Sequence, residues 1–173
     1  MIYLDSAATT LVKPKAVGRA VKKAINNYAS VGRGGYGAAM KAADEVFKCR
    51  CLASELFAVK DPSNVILTMN ATHGLNIAIK SLCSRGDRVV ISGYEHNSVT
   101  RPLRAIGTRT SVIGRTLYRP DLCLAELDME LRSGNVKAVI MNHVSNVFGY
   151  IQPVYEAGKL CKKFNVPYIV DAS

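Results

Sequence analysis

The sequence predicts an α/β fold: a mostly parallel sheet with helices on both faces. Two observations carry this. Short apolar runs such as Val65-Ile66-Leu67, Val89-Val90-Ile91 and Val139-Ile140-Met141 alternate with amphipathic stretches of helical period. Strands that are apolar on every residue are buried on both sides, which is the habit of parallel sheets covered by helices. Polar residues also gather just after these runs, where an open parallel sheet presents its ligand crevice.

The elements follow in order. Tyr3-Leu4-Asp5 is short and extended. Pro14 opens a helix with Val17, Val21, Ala24 and Ile25 on one face and Lys15, Arg19, Lys22 and Lys23 on the other. A Gly-rich loop spans Gly32 to Gly37, and a long helix runs from Ala38 to about Phe57 on a stripe of Ala39, Ala43, Val46, Ala53 and Leu56. Asp61-Pro62-Ser63 breaks the rhythm. Val65 to Thr68 reads as the first strand. His73 to Ser84 reads as a helix, with Leu75, Ala78, Ile79 and Leu82 at i, i+3, i+4 and i+7. Arg88 to Ser92 is the second strand, and Ser98 to Ile106 a helix. Ser111 to Ile113 is the third strand, and Leu124 to Arg132 a helix stopped by Ser133-Gly134. Ala138 to Asn142 is the fourth strand. Pro153 starts a helix with Val154, Ala157, Leu160, Cys161 and Phe164 inward, and Tyr168 to Asp171 closes the series as a fifth strand. Crossovers between such strands are right-handed. The organisation expected is a helical segment with its Gly-rich loop over residues 1–60, then a sheet domain over 61–173.

Composition excludes several classes. With 173 residues, 49% of them hydrophobic, there is material for a real core. No apolar stretch reaches the roughly 18 residues that span a bilayer, and no basic region followed by an apolar run opens the chain. The expectation is a soluble, cytoplasmic protein without a membrane partner. Five scattered cysteines make neither a disulfide framework nor a zinc set, so no metal is expected. Net charge is +10, from 23 Lys+Arg against 13 Asp+Glu. That balance permits an anionic partner. The bases are scattered, however, and no aromatic platform interleaves them, so nucleic-acid binding is not expected.

Chemistry concentrates after the strands. Asn70-Ala71-Thr72-His73 follows the first, Glu95-His96-Asn97 the second, and His143, Ser145 and Asn146 the fourth; the fifth ends in Asp171. Each has a bland reading. Thr72 is a helix N-cap, His96 a satisfied surface histidine, Asn146 turn chemistry before Gly149, and Asp171 a cap. Their common position at one sheet edge argues for a shared crevice. A helix start at Ala71-Thr72 offers unpaired amides and a hydroxyl, which suits a phosphate monoester. Gly32-x-Gly34-x-x-Gly37 matches a dinucleotide pattern, but the pattern needs a strand before it and the preceding segment reads as helix.

Five segments in this order, "IYLDSAATT", "NATHGLNIAI", "EHNSVTRPL", "NHVSNVFGYIQPV" and "YIVDAS", resemble the N-terminal part of class V aminotransferase-type pyridoxal-phosphate enzymes. Within that class the chain is most similar to the cysteine desulfurase and selenocysteine lyase branch. The resemblance implies the large domain of fold-type I transferases, truncated, with the C-terminal small domain absent. It implies pyridoxal 5'-phosphate as cofactor, cysteine or selenocysteine as substrate, alanine as a product, and a homodimer. It assigns Ala71 and Thr72 to the phosphate turn and His96 to stacking on the pyridine ring, as the one catalytic residue present. Asn146 falls near the phenolic oxygen or substrate, and Asp171 beside the ring nitrogen. The Schiff-base lysine segment and the nucleophilic cysteine of the family have no match here, so this chain alone is expected to be inactive. His73 and Tyr36 replace the acidic residue and the histidine common in relatives, which bears on substrate. Transamination of another amino acid, or a non-catalytic remnant that binds a partner half, are the alternative readings.

Overall fold

A computed structural model describes residues 2–6 and 8–173. The chain divides into two units, Met1–Leu67 and Thr68–Ser173.

Among the described residues the first unit holds two helices and one short turn of 3-10 helix. Helix α1 (Lys15–Asn27) starts after Pro14, whose fixed φ of −55° suits a helix entrance. Helix α2 (Gly37–Leu56) follows the Gly-rich loop. Lys23 of α1 meets Glu45 of α2 at 3.1 Å, and the Tyr28 hydroxyl donates to the same carboxylate at 3.0 Å. The apolar stripe expected to bury α1 does not do so. No residue of α1 is buried, and Val17, Val21 and Ile25 are exposed. In α2 only Ala39, Ala42 and Ser54 are buried, while Leu56 stands 77% exposed. An amphipathic pattern records that a face is apolar, not what covers it.

The second unit is built on a four-stranded sheet. Its strands are β1 (Arg88–Ser92), β2 (Arg109–Ile113), β3 (Val136–Asn142) and β4 (Tyr168–Asp171), in the order β2-β1-β3-β4. All three pairings are parallel. Helix α3 (Ala71–Leu82) precedes β1, and α4 (Asn97–Ile106), α5 (Pro120–Arg132) and α6 (Val154–Lys163) separate the strands. The expected first strand, Val65 to Thr68, does not form. A strand exists by its ladder, and among the described residues no chain segment pairs with this one. It keeps extended backbone at Val65 but leaves Ile66 and Leu67 exposed. Strands two to five of the sequence reading are β1 to β4, with β2 and β3 beginning two residues earlier than expected.

Alternate residues of the strands feed two cores. Val89 and Ile91 of β1 and Ala138 and Ile140 of β3 pack with Leu75, Ile79, Val99 and Leu103 of α3 and α4. Val90, Val139 and Met141 point to the other face and pack with Cys123, Leu127 and Leu131 of α5 and Ala157 and Cys161 of α6. The sheet is therefore covered on both sides, as expected. Helix α4 ends at Gly107, whose φ of +82° is the left-handed conformation that closes a helix. Cys83, Cys123 and Cys161 are buried free thiols, Cys49 is exposed and Cys51 half-buried. No helix among the described residues is long and apolar enough to cross a membrane.

Candidate functional site

The strand order has a geometric consequence. From β1 the chain turns one way to β2, and β3 and β4 lie on the other side. The C-terminal ends of β1 and β3 therefore frame a topological switch point, where the loops part and leave a crevice. Everything the sequence reading singled out after the strands belongs to this end.

Helix α3 begins with Asn70, not Thr72, as its cap. The Asn70 side-chain oxygen accepts from the His73 amide at 2.8 Å. Asparagine is the better cap, and it leaves Thr72 in the first turn, where its amide and that of Ala71 have no intrahelical acceptor. The Thr72 hydroxyl is thus free of the capping duty the bland reading gave it. Thr72 lines a cavity of about 350 Å³ with His96, Asn97, Ser98 and Arg101. On the opposite flank of α3, Ala71 and Asp171 line a second cavity of about 300 Å³. The start of α3 is the element both cavities share.

His96 caps α4. Its Nδ1 accepts from the Ser98 amide at 3.2 Å and lies 2.9 Å from the Ser98 hydroxyl. An amide donor at Nδ1 places the proton of the neutral ring on Nε2. The ring is thus fixed by its own helix and remains exposed on the cavity side. Asn146 occupies the tip of the turn after β3. The Ser145 hydroxyl receives the Val147 and Phe148 amides there, and Gly149 closes the turn at a φ of +64°. The tip is exposed.

Asp171 is buried at the end of β4. Its register partner on β3 is Asn142, and its carbonyl accepts from the His143 amide at 2.8 Å. The Ser173 amide and hydroxyl both donate to its Oδ1, at 3.2 and 2.6 Å. The structure thus joins Thr72 to His96 and Ala71 to Asp171, and it sets Asn146 on a separate turn at the same end of the sheet.

One group of residues was not singled out from sequence. In the switch-point crevice the Glu95 carboxyl accepts from the Ser92 hydroxyl at 2.5 Å and from the Asn142 amide at 2.8 Å. The Asn142 side-chain amide donates to the Tyr94 carbonyl at 2.7 Å. Gln152 donates to the Ser92 hydroxyl at 3.0 Å and to the Asn142 carbonyl at 2.8 Å, and also meets the Asn142 side-chain oxygen. Burial, and then the Asp171 carboxylate nearby, push the Glu95 carboxyl up to about 7 against the hydrogen bonds that favour its charged form. Glu95 was visible as part of a polar cluster after a strand. Gln152, between Ile151 and Pro153, reads as an ordinary loop residue, and only the fold shows it to be buried.

Over residues 2–173 the sequence matches the model of the family described as aminotransferase class-V. The chain belongs to the class-V aminotransferases. Relatives of the chain carry the name cysteine desulfurase. The Synechocystis sp. protein named "Probable cysteine desulfurase" is 26% identical over 182 residues, covering 99% of this chain and 42% of the relative. The mitochondrial cysteine desulfurase of Eremothecium gossypii is also 26% identical, over 99% of this chain and 36% of the relative. In structure, the apo cysteine desulfurase from Thermococcus onnurineus NA1 superposes with a TM-score of 0.85 at 27% identity, over 99% of this chain and 44% of that one. This class-V chain therefore spans less than half the length of these three proteins. Among the described residues no cluster of metal-ligating side chains occurs.

Proposed function

We propose that this chain is the N-terminal part of a pyridoxal 5'-phosphate-dependent cysteine desulfurase, which takes sulfur or selenium from cysteine or selenocysteine and leaves alanine. The observation that carries the reading is the start of α3. Its first turn presents Thr72 to one cavity with His96 and Ala71 to another with Asp171. A phosphate donor set, an imidazole and a buried carboxylate around one helix start fit this cofactor's three recognisable parts. The desulfurase relatives support the substrate class.

In this reading the Ala71 and Thr72 amides and the Thr72 hydroxyl hold the phosphate. His96, its ring fixed through Nδ1, would lie against the cofactor's aromatic ring. Asp171 would hold a proton on the ring nitrogen, its burial at the end of β4 limiting competition from water. Asn146 reaches in from the turn after β3. The cofactor, when bound, supplies an electron sink for the substrate's α-carbon. No lysine among these 173 residues matches the motif that bonds the cofactor in the family, so the reading assigns this chain reversible cofactor binding. The exposed apolar side chains of the first unit support a homodimer, and the absence of a spanning helix among the described residues is compatible with a cytoplasmic place.

Cofactor titration, followed by absorbance, tests the reading. Reversible binding by the wild-type chain, weakened in Thr72→Ala and Asp171→Asn, is expected. Equal binding by all three proteins would sink it. So would borohydride labelling of one lysine in full yield with sulfide release from cysteine, because the catalytic set would then lie elsewhere.

A further inference from the structure

We propose that Glu95 is a positioning residue that ties the end of β1 to the end of β3 and so sets the place of Asp171. The importance given to Asp171 rests on the reading above; the clamp itself stands on geometry. Glu95 Oε1 receives the Ser92 hydroxyl from the end of β1 and the Asn142 amide from the end of β3, residues 47 apart in sequence in the second case. Asn142 is the register partner of Asp171, and the next residue, His143, donates its amide to the Asp171 carbonyl. One carboxyl therefore joins the ends of β1 and β3 at the switch point, and β4 is held to them through the β3–β4 pairing.

Two acceptors of the network are unmet. Glu95 Oε2 and Gln152 Oε1 are both buried without a hydrogen-bond partner among the described residues, as are the hydroxyls of Tyr94, Tyr150 and Tyr168. An unpartnered buried acceptor is costly, and an unpartnered buried charge more so. A proton on Glu95 removes the charge and turns one carboxyl oxygen into a donor. Asp171 and Tyr168, both on β4, act on Glu95, and the Asp171 carboxylate disfavours a second negative charge there.

Two measurements on the whole chain, neither with cofactor, test this, so a failure of the cofactor reading shows in a different experiment. The first is the pH dependence of folding. Glu95 keeps its proton up to about 7 when folded and releases it near 4.5 when unfolded. Between those values the folded state holds the extra proton, so stability falls as pH rises and levels off above about 7. Denaturant titrations should show the folding constant of wild-type dropping on the order of a hundredfold across that window relative to Glu95→Gln. Parallel pH profiles for the two would overturn the proposal. Should Glu95→Gln not fold, infrared spectra of wild-type decide instead. A carboxylic-acid carbonyl band at pH 6 that fades by pH 8 is expected, and its absence at pH 6 overturns the proposal.

The second measurement is amide exchange at His143. Glu95→Ala should raise its rate tenfold or more while Glu95→Gln restores protection. Equal protection in the alanine variant would show that Glu95 does not set the β3–β4 edge.

Discussion

The two units of this chain carry similar amphipathic sequence and use it differently. In Thr68–Ser173 every apolar stripe finds a sheet face, and side chains such as Leu127, Ile140 and Val99 are fully buried. In Met1–Leu67 a 13-residue helix with a clean apolar face buries nothing, and Ile25 is 77% exposed. What separates them is the sheet. A parallel sheet offers two broad apolar faces and forces helices onto them. Two helices alone expose most of what they carry, and most helical stability comes from packing, not propensity.

The difference is easiest to break with core substitutions. Leu127→Ala, in the second core, should cost about 2–5 kcal/mol by lost transfer energy and a residual cavity. Val21→Ala on α1 should change stability by about 0.5 kcal/mol or less. Denaturant midpoints check both. A Val21→Ala cost equal to that of Leu127→Ala would mean that α1 is covered in solution, by association or otherwise.

Thiol reactivity sharpens the same contrast. Burial pushes Cys123 and Cys161 up to about 11, so at pH 8 only about one molecule in a thousand carries either thiolate. Cys49 in the first unit is exposed. Alkylation at pH 8 followed by peptide mapping should modify Cys49 early, and Cys123 and Cys161 only once the second unit opens. Early labelling of Cys161 would show that the α6 face is looser than its burial implies.

Much of this was legible in the sequence because the second unit obeys period rules. The runs at Val89-Val90-Ile91 and Val139-Ile140-Met141 announced strands buried on both faces, and the helices between them announced the layers. The first strand failed for a physical reason. Val65-Ile66-Leu67 has strand composition, but composition cannot supply a partner, and a strand without one is only extended chain. The site residues were legible as polar clusters past strand ends. Their grouping into two cavities flanking α3 was not, because that depends on which side of a helix each residue falls. The Ser92–Glu95–Asn142–Gln152 network was invisible because its members lie up to 60 residues apart and none is unusual alone.

Ligand binding tests whether the second unit is organised around the start of α3. A threonine hydroxyl bonded to a charged phosphate contributes about 1.5–3 kcal/mol. Thr72→Ala should therefore weaken pyridoxal 5'-phosphate binding by about tenfold or more, with folding stability nearly unchanged, since Asn70 and not Thr72 caps the helix. Titration by absorbance or calorimetry reads the first effect and denaturation the second. A large stability loss with unchanged binding would return Thr72 to a purely structural role.

The smallest expected effect separates cap from ligand site at Asn70 itself. Its side-chain oxygen bonds the His73 amide, so Asn70→Ala should lose about 1 kcal/mol of stability. Asn70→Asp keeps a capping oxygen and places negative charge at the positive end of the helix, so its stability should match or slightly exceed wild-type. The same charge stands beside the Ala71 and Thr72 amides and repels an incoming phosphate. The aspartate variant should thus fold as well as wild-type and bind the cofactor more weakly, with the gap narrowing as salt screens the repulsion. Binding by Asn70→Asp equal to wild-type at low salt would place the phosphate away from this helix start, and the two cavities at α3 would need another occupant.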